Sequence, residues 1–126
     1  EVRRCHQADT KLAVISTSSF TPLLDNYIEA GIDVLIGTDP VQDSRADLPL
    51  TKQTLADKVA IWGGVNGFVT IETGTPDQVK DAVSDAMRIL SPGGGFILSP
   101  VDNVVDDSAA TRANVDALIQ AWQDLR

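Results

Sequence analysis

The sequence predicts an α/β protein in which the four strands of a parallel sheet alternate with helices. Two observations carry that expectation. Four short apolar runs, Leu12–Ser16, Asp33–Gly37, Val59–Gly63 and Phe96–Ser99, are mostly continuous rather than alternating, which suits strands buried on both faces of a parallel sheet. Between and after them lie segments whose apolar residues recur at helical spacing, two of them opened by a cap and a proline. Such alternation implies right-handed crossovers and helices laid against the sheet.

Taken in order, Val2 to Ala8 read as the end of a helix preceding the first strand. After that strand, Thr21 is placed to cap a helix. Pro22 takes its first position, Leu24, Tyr27 and Ile28 share a face, and Gly31 is the stop. After the second strand Pro49 interrupts the pattern, and a short helix is expected from Leu50 to Asp57. In the third interval Thr75 is the cap, Pro76 the first helical residue, and Gln78 completes a capping box. Val79, Ala82, Val83, Ala86, Met87 and Leu90 then follow at helical spacing. The last segment starts at Asp107 or Ser108, and Val115, Leu118, Ile119, Trp122 and Leu125 form one apolar stripe.

Composition narrows the function classes. The 126 residues are 43% hydrophobic and 22% charged, an ordinary make-up for one soluble globular domain spanning residues 1–126. The net charge is −8, and apart from Arg3-Arg4 the ten Lys and Arg residues are scattered singly. No basic face is available for a phosphate backbone, so a nucleic-acid partner is not expected. No apolar window has the length of a membrane span and no signal peptide opens the chain, so no membrane partner is expected either. Cys5 is the only cysteine, which excludes an internal disulfide and suits a cytoplasmic setting.

In parallel α/β architectures function sits at the C-terminal ends of the strands. The triple glycine Gly93–Gly95 precedes a strand, so it belongs to the opposite end and reads as a turn rather than a phosphate cradle. No G-x-G-x-x-G or Walker-type sequence follows any strand, which argues against nucleotide binding. The loops after the strands carry short polar side chains: Ser16, Thr17, Asp39, Gln42, Asn66, Asp102 and Asn103. Converging on one rim, they would line a pocket for a small polar molecule. Each also has the chemistry of a turn former or helix cap. Four βα units suit either an open doubly wound sheet or half of an eight-unit barrel, and a whole barrel takes about 250 residues.

Tyr27–Leu35, Asp57–Asn66, Gly74–Val79 and Gly93–Pro100 carry a likeness that runs from about residue 2 to residue 122. In wording and order these stretches resemble the uroporphyrinogen decarboxylase superfamily. Members are (β/α)8 barrels that include a decarboxylase of haem biosynthesis and corrinoid-dependent methyltransferases, and the likeness falls on the C-terminal half. The resemblance therefore implies four βα units forming the C-terminal half of a TIM barrel, with the N-terminal half elsewhere or replaced by self-association into a homo-oligomer. It implies a parent that decarboxylates or methylates a small molecule. Zinc ligands of the methyltransferase members fall on Ile15, on Thr17 and near Asp102, none of them His or Cys, so neither a metal site nor another cofactor is expected. Asp102, where the decarboxylase branch places a cleft histidine, is the expected catalytic residue. Ser16, Asp39, Asn66 and Asn103 are the expected substrate-binding residues. The alternative is a non-catalytic half-barrel that self-associates.

Overall fold

In the computed structural model, which describes residues 1–16 and 19–126, the four apolar runs become strands. They are β1 (Ala13–Ile15), β2 (Val34–Thr38), β3 (Ala60–Asn66) and β4 (Phe96–Val101). All pair in parallel, in the order β1-β2-β3-β4. Helix α1 (Val2–Gln7) precedes β1, and α2 (Leu24–Ala30), α3 (Leu48–Leu55), α4 (Pro76–Leu90) and α5 (Ala109–Leu125) follow the strands in turn. Right-handed crossovers between sequentially ordered parallel strands place every crossover helix on the same face of the sheet.

The burial pattern agrees with that one-sided arrangement. Leu35 and Ile61 are buried against the helices in a core with Phe20, Leu24, Leu55 and Leu90, and Val14 and Phe96 pack against it. A second cluster joins Val65, Ile71, Val79 and Val83 to Ala117 and Ala121 of α5. The alternate strand residues point the other way: Ile15 is 71% exposed, Ile97 44% and Trp62 39%. Ile15 pairs with Ile36, Ile36 with Trp62, and Trp62 with Ile97, so one apolar row crosses all four strands. The continuous apolar runs anticipate cover on both faces; among the described residues only one face is covered.

Most element boundaries follow their local chemistry. Thr75 and Gln78 form the capping box of α4, and Gly31, at φ 75°, ends α2 in the left-handed conformation. Two starts differ from expectation. Pro49 does not interrupt the third helix but sits in its first turn, where no amide hydrogen is needed, while Asp47 caps it by accepting from Leu50 N at 2.8 Å. The helix therefore runs Leu48–Leu55. Thr21 opens a 3₁₀ turn (Thr21–Leu23) rather than capping α2, and its hydroxyl accepts from Asp47 N at 3.4 Å.

The last helix departs most. Ser108 caps α5 by accepting from Thr111 N, yet most of the apolar stripe is not its docking face. Thr111, Asn114, Ala117 and Ala121 are buried, whereas Val115, Ile119, Trp122 and Leu125 are exposed. Small side chains bring α5 close to α4, and Asn114 fixes its rotation. Its amide donates to Ile71 O at 2.8 Å and to Gly74 O at 2.9 Å.

At the N-terminal end of the sheet Asp33 gathers three partners. It accepts from Leu12 N at 2.8 Å and bonds His6 Nε2 at 2.8 Å, with Lys11 Nζ 3.2 Å away. The Leu12 amide first and His6 second hold the Asp33 carboxyl down at about 2, from an ordinary 3.8. Because the folded-state value is the lower one, this contribution is present above the ordinary value and is lost as pH falls toward 2. Asp33→Asn is accordingly expected to be less stable at neutral pH, with a shallower loss between pH ~4 and ~2. Thermal melts of both proteins across that window check it; parallel acid limbs would refute it.

Candidate functional site

The C-terminal ends of the strands meet at a hollow on the uncovered face of the sheet. It has a volume of about 410 Å³ and is lined by Ile15, Ile36, Gly37 and Trp62, with Ser99 to Asn103 along one side. Its floor is the apolar row, and its polar groups come chiefly from the end of β4. Asp102 there takes a left-handed backbone, φ 67°, which Asp tolerates better than most residues. That turn carries the chain off β4, and Asp102 and Asn103 are both exposed at the hollow.

Gly67, at the start of the segment after β3, leaves room for this turn. A Cβ there would lie 2.6 Å from Val101 O and 3.2 Å from Asp102 O. The segment itself, Gly67–Glu72, is a turn of π-helix. Such turns recur at functional sites.

Asp39 and Asn66 do not join that hollow. Both are fully buried, and the Asn66 amide donates to Asp39 Oδ2 at 2.6 Å. The other oxygen of Asp39 accepts from Val41 N at 2.7 Å and Gln42 N at 3.2 Å, and Asn66 Oδ1 accepts from Val69 N at 2.5 Å. Each side chain thus ties its own loop and the two loops to each other. Ser16 follows Ile15 on β1, half-buried, and its amide donates to Ile36 O at 2.8 Å. Gln42 is exposed on its loop. Thr17 lies outside the described residues.

Two further carboxylates, not singled out by the sequence, extend the same arrangement around the rim. Asp43, 6% exposed, accepts from Ser19 N at 2.5 Å and from Arg45 N at 3.0 Å, joining the loops after β1 and β2. Arg45 also donates to the Ser19 hydroxyl. Glu72 Oε1 accepts from Val105 N at 2.5 Å and Asp106 N at 3.1 Å, joining the loops after β3 and β4. With Asp39–Asn66 between them, these groups staple the four loops in succession. Asp106 continues the theme: the Ser108 and Thr111 hydroxyls hold its carboxyl below the usual range. Trp62 also lines the hollow, and its one signal in the sequence is a large aromatic inside a run that reads as buried strand.

The arrangement is a rigid rim around an apolar floor, open to a small molecule that is flat or apolar on one side and polar at the β4 edge. Among the described residues no cluster of His, Cys, Asp and Glu could hold a metal ion, and no helix is long and apolar enough to cross a membrane. A larger hollow, about 490 Å³, lies at the opposite end of the sheet beside Gly93–Gly95, Lys11 and Lys58. All three glycines there have φ between 71° and 79°, as a turn built on backbone freedom requires. The sequence matches no protein-family model, and no curated protein matches it.

Proposed function

We propose that the chain is half of a (β/α)8 barrel, equivalent to the C-terminal half of a uroporphyrinogen decarboxylase-like protein. The completed barrel acts on a small tetrapyrrole- or corrinoid-related molecule by decarboxylation or methyl transfer, in a cytoplasmic setting. The observation that carries this reading is the one-sided sheet, whose bare apolar face ends in a hollow edged by Asp102 and Asn103. Barrel enzymes place their chemistry at that end of their strands.

Each residue then has a role. Trp62 and Ile36 offer a flat apolar surface to a ring. Asn103 and Ser16 orient polar substituents by hydrogen bonds. In a decarboxylation the bond to the carboxylate carbon breaks, carbon dioxide leaves and a proton takes its place. Asp102 is the group at the hollow able to pass that proton. Asp39 and Asn66 act through the loops they tie rather than by touching substrate.

Trp62 provides the test. In a Trp122→Phe background its fluorescence should be quenched saturably by uroporphyrin or by cobalamin. Absence of saturable quenching by either would end the reading. It would leave the alternative, a non-catalytic half-barrel that self-associates, which the exposed apolar row favours. Asp102→Ala is expected to retain binding while lowering turnover of the completed protein by about 10²–10⁴-fold, the usual contribution of a general acid or base. Unchanged turnover would remove Asp102 from the chemistry.

A further inference from the structure

We infer that the four units completing the barrel are a second copy of this chain, related to the first by a two-fold axis parallel to the strands. The inference rests on the half-barrel part of the reading above and not on its chemistry. β1 and β4 are the two edges of the sheet. Because all strands are parallel and in sequential order, a half-turn about such an axis sets β4 of each copy beside β1 of the other. Both junctions form at once, with every strand still parallel. Eight strands result, the number at which a barrel's interior is filled by side chains. Two copies stacked face to face would leave four edges unpaired, a state that soluble proteins avoid.

The chemistry of the bare face fits the same occupant. Ile15, Ile36, Trp62 and Ile97 cross it in register, and Ala13, Val34 and Ala60 form a second row beside them. No member of either row is charged, so the net charge of −8 lies elsewhere and two copies meet there without repulsion. α5 supplies an independent observation. Its exposed flank, Val115, Ile119 and Trp122, faces away from the small residues that dock on α4. In the closed barrel its neighbour is the element after β1 of the other copy, where Leu23 is 42% exposed.

Closure also completes the site. The strand ends of both copies share one mouth, so each copy contributes an Asp102 and an Asn103 to it. A single copy offers only one of each.

Sedimentation velocity at about 100 µM should give a species of twice the 13.4 kDa chain mass. Ile15→Asp and, separately, Ile97→Lys should each sediment as a monomer with an unchanged far-ultraviolet circular dichroism spectrum, because both positions are exposed in one copy. In a Cys5→Ser background, a short bis-maleimide should join an Ala13→Cys chain to an Ile97→Cys chain. It should not join either to a Gln53→Cys chain, labelled on the helical side. A monomeric wild-type chain overturns the inference, as does a dimer that survives both charge substitutions or cross-links through Gln53→Cys. A dimer that binds neither uroporphyrin nor cobalamin supports this inference while ending the proposed chemistry, and binding by a monomer does the reverse.

Discussion

Replacing Asn66 by aspartate is expected to destabilise the fold by roughly 3–5 kcal/mol at neutral pH, the cost of an uncompensated buried charge. What stability remains should be greatest in acid. The substitution preserves size and changes only hydrogen-bonding capacity. Asn66 Nδ2 donates to Asp39 Oδ2 at 2.6 Å, and both residues are fully buried. An aspartate there sets one carboxylate against another, with no cation among their hydrogen-bond partners. The folded variant must keep a proton between the two oxygens, while the unfolded chain gives it up near pH ~4. The folded state then binds more protons than the unfolded one, so stability falls as pH rises through that region. Asn66→Ala is the control. It removes the donor, leaves Asp39 one partner short, and should cost about 1–3 kcal/mol without a comparable slope. Denaturant midpoints measured from pH 3.5 to pH 7.5 separate the two. An Asn66→Asp profile parallel to that of Asn66→Ala would mean that the pair is not closed to water.

That pair also shows where the sequence was legible and where it was not. Strand positions were legible because a parallel strand is a continuous apolar run, and all four runs became strands. Helix α4 was legible down to its capping box, since Thr75 and Gln78 act within one turn. Asp39 and Asn66 were legible as polar residues at strand ends, but their mutual bond spans 27 positions and no local pattern encodes it. The same holds for Glu72, whose partners lie 33 and 34 residues away. Asx residues after strands suit pocket lining and loop tying equally, and only burial separates the two uses. α5 misled for a different reason. Its large apolar residues mark one stripe, whereas its docking face is set by the small residues Ala117 and Ala121 and by the two carbonyls that Asn114 satisfies. An apolar stripe is evidence that some surface will cover it; on α5 that surface is not α4.

Gly67→Ala is expected to cost about 2–3 kcal/mol, at the upper end for an added methyl in a packed site, and to move Asp102. The methyl carbon would stand 2.6 Å from Val101 O and 3.2 Å from Asp102 O. Both are backbone atoms, so no side-chain rotation relieves the clash. Either the Asn66–Val101 rung between β3 and β4 parts, or the turn at Asp102 shifts away from the π-helical segment. Both responses open the wall of the hollow that Asp102 and Asn103 form. Gly64→Ala separates this effect from general destabilisation. Its Cβ would meet the Phe96 ring at 3.0 Å and Ala86 Cβ at 3.1 Å, on the helical side, and φ 98° adds backbone strain. Both variants should melt early, but only Gly67→Ala should raise the acrylamide quenching of Trp62 in the Trp122→Phe background. Trp62 and Asp102 line one hollow, so loosening the Asp102 wall admits quencher to the indole, whereas a strained contact beneath α4 does not. Equal quenching in the two variants would mean that the place of Asp102 is set by its own loop and by Glu72, and not by the close approach that Gly67 permits.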